Sequence, residues 1–291
     1  MIKGKPPIPF QTIALAFGFS SRLEALIAET RRLSQVYQAR TIFVHVGKKT
    51  SEKQRQLGNF LVNYGFNDSN SKIIWENGET VDVILKICKQ EVVDLLVIGA
   101  LEKENILKYY MGSVSREISR KAKCSVLMLT KPSIQPSAFQ KIVVNGHDHP
   151  KTIYSIETAF YIAQREDSDE VYVVDEVDIP ALSMSMADDS TEPQAEGIRS
   201  AFIVEEQDKL NTILKTFPEH DGRVKVRTIQ GRSGHTISLF AKERSADLLV
   251  VNSPDHLLSI FDRIFTHDIE YLLNEMPCNL LVVHSRIPPA A

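Results

Sequence analysis

The stretch VDLLVIGA at residues 93–100 returns as ADLLVVNS at residues 246–253. Its aspartates, Asp94 and Asp247, stand 153 positions apart, and so do Gly78 of IIWENGET and Gly231 of VRTIQGRS. A shared offset at two separate landmarks marks an internal repeat. The last apolar run follows one residue later: KCSVLMLTK (123–131) answers PCNLLVVHS (277–285), which matches Cys124 to Cys278. A chain of 291 residues has about twice the length of an ordinary domain, so two copies of one unit account for it.

In the first copy, apolar runs rich in Val and Ile fall at 12–16, 41–46, 72–75, 95–98 and 126–129, each too short for a helix. The segments between them have helical spacing. SSRLEALIAETRRLSQVY (20–37), for instance, puts Leu23, Leu26, Ile27 and Leu33 on one face. This alternation predicts an α/β fold of two tandem doubly wound parallel five-stranded sheets with flanking helices. Ligands of such sheets bind beyond the carboxyl ends of the strands. TKPSIQPSAFQ (130–140) has the Pro and Ser content of a linker and sets the domains at 1–137 and 138–291. The second copy carries an insertion near 179–197, IPALSMSMADDSTEPQAEG, which is acidic and aperiodic and is expected to form a mobile loop or lid.

Composition narrows the function. No run of eighteen apolar residues exists, and MIKGKPPIPF lacks the apolar core of a signal peptide, so the expectation is a cytoplasmic protein with no membrane partner. Three cysteines without CxxC spacing predict reduced structural thiols rather than a disulfide framework or a zinc knuckle. A net charge of -3 argues against nucleic acid as a partner. That total conceals an asymmetry. Residues 1–138 hold 20 Lys and Arg against 12 Asp and Glu, whereas residues 139–291 hold 14 against 25. Opposite signs favour docking of one half on the other and bias any pocket in the first half toward anions.

A candidate anion site follows the fourth strand of copy one. Gly99 and Gly112 would let backbone N–H groups approach a phosphate, and Ser113 and Ser115 could add hydroxyl donors at the positive end of a helix dipole. The competing reading is purely structural: Ser113 caps the helix and Gly112 supplies a turn, contributing about 1 kcal/mol. These residues, set beside DLLVIG, resemble the universal stress protein family in a tandem arrangement that covers nearly the whole chain. The resemblance implies a Rossmann-like fold of the adenine nucleotide alpha hydrolase-like group. In copy one it implies an ATP or AMP site read as glycine, two residues, glycine, nine residues, then Gly-Ser. Gly99, Gly112 and Ser113 match that pattern, while Glu102 stands at its second glycine. The turn after strand one, Gly18, Phe19, Ser20, matches the family's Asp-Gly-Ser in position only, so Gly18 and Ser20 join the candidate site without the carboxylate.

Copy two departs further, with Asn252, Asp255, Phe265 and Thr266 at the matching positions, and Asp268 and Glu270 in the first turn of the helix that follows. It is expected not to bind ATP. Five of the eight histidines map to the carboxyl edge of its sheet, and His147, His149, His256 and His267 form a candidate site for zinc or another divalent metal. No GxSxG, HExxH or GxxxxGK[ST] motif occurs, so the chain reads as a regulator rather than an enzyme, with weak nucleotide hydrolysis as the lowest alternative. The resemblance also implies an intramolecular pseudo-dimer with the last strands near the shared interface. A homodimer and an unidentified protein partner are further expectations.

Overall fold

The computed structural model describes residues 5–102, 109, 110, 112–147, 149–177, 222–232, 234–253, 271–274 and 276–285, and residues 201, 204, 205, 207, 208, 210–212, 214 and 215. The insertion expected at 179–197 lies outside the described residues. Copy one forms β1 (Thr12–Ala16), α1 (Leu23–Tyr37), β2 (Arg40–Val46), α2 (Ser51–Asn63), β3 (Ser71–Glu76), α3 (Thr80–Gln90) and β4 (Leu95–Gly99). A two-residue hairpin, β5 (Leu101–Glu102) and β6 (Tyr109–Tyr110), then leads into α4 (Ser113–Lys121) and β7 (Ser125–Leu129). Copy two supplies β8 (Lys141–Asn145), α5 (Thr152–Glu166), β9 (Glu170–Val177), β10 (Val224–Gln230), α6 (His235–Glu243), β11 (Leu248–Asn252) and β12 (Asn279–Val283).

Ten of these strands form one sheet in the order β10-β9-β8-β11-β12-β7-β4-β1-β2-β3. Within each copy every pairing in this sheet is parallel and the order is the same, third, second, first, fourth, last. The two copies meet where β7 and β12 pair antiparallel, with Leu280 opposite Met128, Leu281 opposite Leu127 and Val282 opposite Val126. Strands buried on both faces read as unbroken apolar runs, and that is why β1 and β7 are buried at every position. Alternate residues feed two cores. Ala14, Ile42, Leu96 and Val126 join one, on the side of α3, α4 and α6; Ile13, Phe43, Leu95 and Leu127 join the other, on the side of α1, α2 and α5.

The repeat landmarks acquire a physical cause. Asp94 Oδ2 accepts the backbone N–H groups of Gln11 at 2.7 Å and Thr12 at 2.9 Å, and Asp247 Oδ2 does the same for Gln140 at 2.8 Å and Lys141 at 2.9 Å. Each aspartate thus fastens the entry to the first strand of its copy from the neighbouring fourth strand. Gly78 and Gly231 follow the third strands with φ of +148° and +150°, a region in which only glycine is unstrained. A Cβ at Gly78 would also lie 2.9 Å from Val83.

A buried polar network ties the copies together beside the sheet. Glu166 of α5 is buried; it pairs with Arg32 of α1 and accepts from the Tyr37 hydroxyl at 3.1 Å and the Phe139 amide at 2.9 Å. The rings of Tyr37 and Tyr161 stack at 5.7 Å over this contact. All three cysteines are free and buried. The Cys124 thiol is pushed well up by its hydrogen bond with Cys88 and by burial, and burial likewise raises Cys278, so neither supplies a thiolate.

Replacing Asp94 or Asp247 by Ala leaves two backbone amides at a strand entry without this acceptor. Each single variant should lose on the order of 1–3 kcal/mol of stability, by comparable amounts, in urea unfolding. A loss confined to one of the two would contradict their equivalence.

Candidate functional site

The carboxyl edge of the copy-one sheet is built from the loop after β1, the exit of β2, the exit of β4 and the start of α4. Gly112 is the N-cap of α4 in extended conformation, φ −67° and ψ 166°, and as a glycine it offers this helix start no side-chain cap. Ser113 is the first helical residue and is exposed, while Ser115 is half-buried. The purely structural reading therefore loses both its parts: Ser113 does not cap the helix, and Gly112 makes no turn that only glycine allows. The first turn of α4 carries no acidic residue, and Arg120 and Lys121 close its last turn. The first N–H groups of a helix have no intrahelical partner, and the start of α4 adds the positive end of a helix dipole.

Gly99 ends β4, where it pairs with Leu129. A Cβ there would lie 3.3 Å from Leu26 Cδ1, so close packing of α1 is itself a reason for glycine. Gly18 is exposed, with nothing within 4 Å of an added Cβ. Ser20 is engaged locally, its hydroxyl accepting the Arg22 amide at 3.3 Å. The two loops are joined by Arg22, which sequence reading passed over. Its guanidinium donates to the carbonyls of Ala100 and of Thr130, the latter at 2.5 Å. A basic residue at the N-cap of α1 opposes the helix dipole, a readable sign that its side chain is bound elsewhere.

Between β1, β2 and β3 the edge is filled by rings. His45 is buried, with its ring centroid 5.5 Å from Phe17, 4.9 Å from Phe19 and 4.9 Å from Trp75, and Phe19 stacks on Trp75 at 5.8 Å. Lys53 Nζ lies 5.2 Å over the Phe19 ring. A carbonyl can only accept, so His45 Nδ1 donates to Phe17 O at 3.0 Å, and Nε2 is buried with no hydrogen-bond partner among the described residues. The members of this ring cluster lie at the exits of three strands, β1, β2 and β3.

Copy two presents different chemistry at the same places. Two residues after β8, where copy one has Gly18, stands His147, and its Nδ1 lies 4.0 Å from Asp175. Asp175, buried, is the sixth residue of β9 as His45 is of β2. Asn252 ends β11 as Gly99 ends β4, and its side chain is held by the hydroxyls of Ser155 and Thr152, the latter at 3.0 Å. Ser155 is the fourth residue of α5 and Leu26 the fourth of α1. One contact is thus glycine against leucine in copy one and asparagine against serine in copy two. His149 Nδ1 accepts the Lys151 amide at 3.1 Å, which uses that lone pair. Among the described residues no three His, Cys, Asp or Glu gather as a metal would require. His256 and His267 of the candidate metal set lie outside the described residues.

This is an α/β sheet protein whose two copies present different chemistry at their carboxyl edges. The family model of the universal stress proteins matches residues 61–130 and 138–284, and the chain belongs to that family. Among solved structures, a universal stress protein from Archaeoglobus fulgidus aligns with a TM-score of 0.65 at 14% identity, covering 94% of this chain and 96% of its own. A functionally unknown protein from Pseudomonas aeruginosa aligns at 0.67 and 15% identity, covering 95% and 93%. These likenesses establish the fold over both copies. No curated protein matches the sequence.

A double-mutant cycle tests the paired substitution. Gly99→Asn should crowd Leu26 and destabilise by about 1–3 kcal/mol. Combined with Leu26→Ser it should lose less than the two single variants together, by roughly 0.5–3 kcal/mol in urea unfolding. Strict additivity would show that the two positions do not share one contact.

Proposed function

We propose that the chain is a tandem universal stress protein, with domains at 1–137 and 138–291, that acts in the cytoplasm as a stress-response regulator. Its first domain takes the phosphates of ATP or AMP, and the second does not. The carrying observation is a start of α4 that has glycine at its N-cap and no carboxylate in its first turn. Backbone N–H groups there can meet phosphate oxygens without competition from a side chain of the helix itself. Arg22, anchored to the carbonyl of Ala100, ties the start of the loop between β4 and α4 to the end of β7. The two domains act as an intramolecular pseudo-dimer through β7 and β12, a reading supported by their antiparallel pairing.

A second reading, an interaction module independent of nucleotide, draws on the rings of Phe17, Phe19, His45 and Trp75, which occupy the edge between β1 and β3. Two variants separate the readings. Aspartate is a good N-cap, so Gly112→Asp should keep α4 folded while placing a negative charge where phosphate would sit. Gly18 has open space around it and no positive φ, so Gly18→Asp should be accommodated without strain. In calorimetric titration of the nucleotide-stripped full-length chain with Mg-ATP, one site per chain is expected. Gly112→Asp should abolish it, and Gly18→Asp, which restores the carboxylate the resemblance implies, should tighten it. Absence of heat at two temperatures for the parent chain and for Gly18→Asp would leave the interaction module as the reading.

A further inference from the structure

The sheet ends at β3, which pairs with β2 on one side and, among the described residues, with no strand on the other. The bonds on the inner side fix what the outer side presents. There the carbonyls of Asn70 and Glu76 accept the amides of Thr41 and Gly47. Backbone groups alternate in direction along a strand, so the N–H and C=O of Ile73 and Trp75 turn outward, and among the described residues no backbone group bonds them there. The side chains of this edge are open as well. Ile73 is 43% exposed, and Ile74 and Trp75 are half-buried. Trp75 is held from within by the stacked ring of Phe19 and by His45, so it stands as a fixed platform.

The order Lys72, Ile73, Ile74, Trp75, Glu76 is complementary to itself when reversed. Turned antiparallel on a second copy about a two-fold axis at Ile74, it sets Ile73 opposite the partner's Trp75 and Lys72 opposite the partner's Glu76. The outward-facing Ile73 and Trp75 then form the hydrogen-bonded pairs, and Ile74 meets its own copy in a non-hydrogen-bonded pair, as an antiparallel ladder requires. Aromatic against β-branched residues and unlike charges are favourable cross-strand neighbours. Neither charge is bare in the single chain: Lys72 Nζ pairs with Glu91 at 2.7 Å and Glu76 with Lys86 at 2.5 Å. Both pairs can stay, because the signs then alternate across the axis from Glu91 to Lys72 to the partner's Glu76 to the partner's Lys86. The other end of the sheet lacks this symmetry. The same arrangement about the middle of β10 would set Arg227 against the partner's Arg227.

We propose that β3 is a self-association edge, on which a second copy of this chain lays its own β3 antiparallel and joins two ten-stranded sheets edge to edge. Such a contact is isologous and closes at two chains. It is independent of the nucleotide reading, whose residues lie on other elements.

The test is sedimentation velocity of the full-length chain over a dilution series. A contact of one strand is small, so a reversible dimer is expected that falls to single chains on dilution. Lys72→Glu sets glutamate opposite glutamate at both ends of the pairing and should weaken dimerisation about tenfold or more, and Glu76→Lys should do the same with lysine opposite lysine. An equimolar mixture of these two variants makes every opposed pair unlike again and should dimerise within about threefold of the parent chain. Ile73→Asp, which removes the apolar pair, should also weaken the dimer about tenfold, and it serves should a charge variant fail to fold. Arg227→Glu, at the other end of the sheet, should leave dimerisation within about twofold. Thermal melting of each variant checks that the fold is kept. A parent chain that stays monomeric at every concentration, a dimer of unchanged affinity in a folded β3 variant, or a mixture of folded charge variants that stays monomeric would overturn the proposal.

Discussion

The antiparallel pairing of β7 with β12 is the constraint on which the rest of the molecule depends. Each copy alone would end on a parallel sheet whose last strand is apolar after its first residue and whose edge is unpaired. Pairing these strands removes both edges at once and lets the two cores run through both copies. Asn279, at the start of β12, fastens the junction: its Oδ1 accepts the Thr130 amide at 2.9 Å, and its Nδ2 donates to Asp247 O at 2.9 Å. The opposed charges of the two halves meet in the buried pair of Arg32 and Glu166. Such a pair must hold its geometry, because a lone buried charge costs far more than the pair contributes.

Joined in this way, the copies were free to diverge at their carboxyl edges while keeping what holds the strands. Asp94 and Asp247 do the same work, as do Gly78 and Gly231. At the edges the substitutions come in compensated sets. Asn252 brings polar atoms into a buried place, and Ser155 and Thr152 hydrogen-bond them; Gly99 brings none, and Leu26 packs on it. Copy two also spends a carboxylate on a helix start: Glu176 accepts the amides of Gly234 at 2.9 Å and Ile237 at 2.7 Å, occupying the N-terminus of α6. In copy one Glu79 does this for α3, and among the described residues α4 has no such group. The starts of α1 and α5 also lack a side-chain cap from their own N-cap residues, so what sets α4 apart is its position after β4 at the carboxyl edge.

Much of the fold was legible because doubly buried strands leave no ambiguity in composition. The run at 12–16 coincides with β1, and the other four runs fall inside their strands, which extend by a residue or two into polar positions such as Arg40 and Ser71 that carry no apolar signal. Leu23, Leu26, Ile27 and Leu33 are all buried, as one helical face requires. The hairpin of β5 and β6 was not legible, since two-residue strands have no period. Nor were the contacts of Arg22 with Ala100 and Thr130, which join residues 78 and 108 positions apart. The histidines of copy two illustrate the limit from the other side. Topology places His147 and His149 beyond β8, but the chain's own Lys151 amide engages one of them, an event that no spacing rule announces.

Native-state hydrogen exchange of the full-length chain tests the seam most directly. If β7 and β12 unite the copies, the amides of Leu127 and Leu281 should exchange only through global unfolding, with the same opening free energy as those of Ile13 in β1 and Val143 in β8. Seam amides that open at lower free energy than these, or two distinct free energies for the strands of the two copies, would contradict a single cooperative sheet.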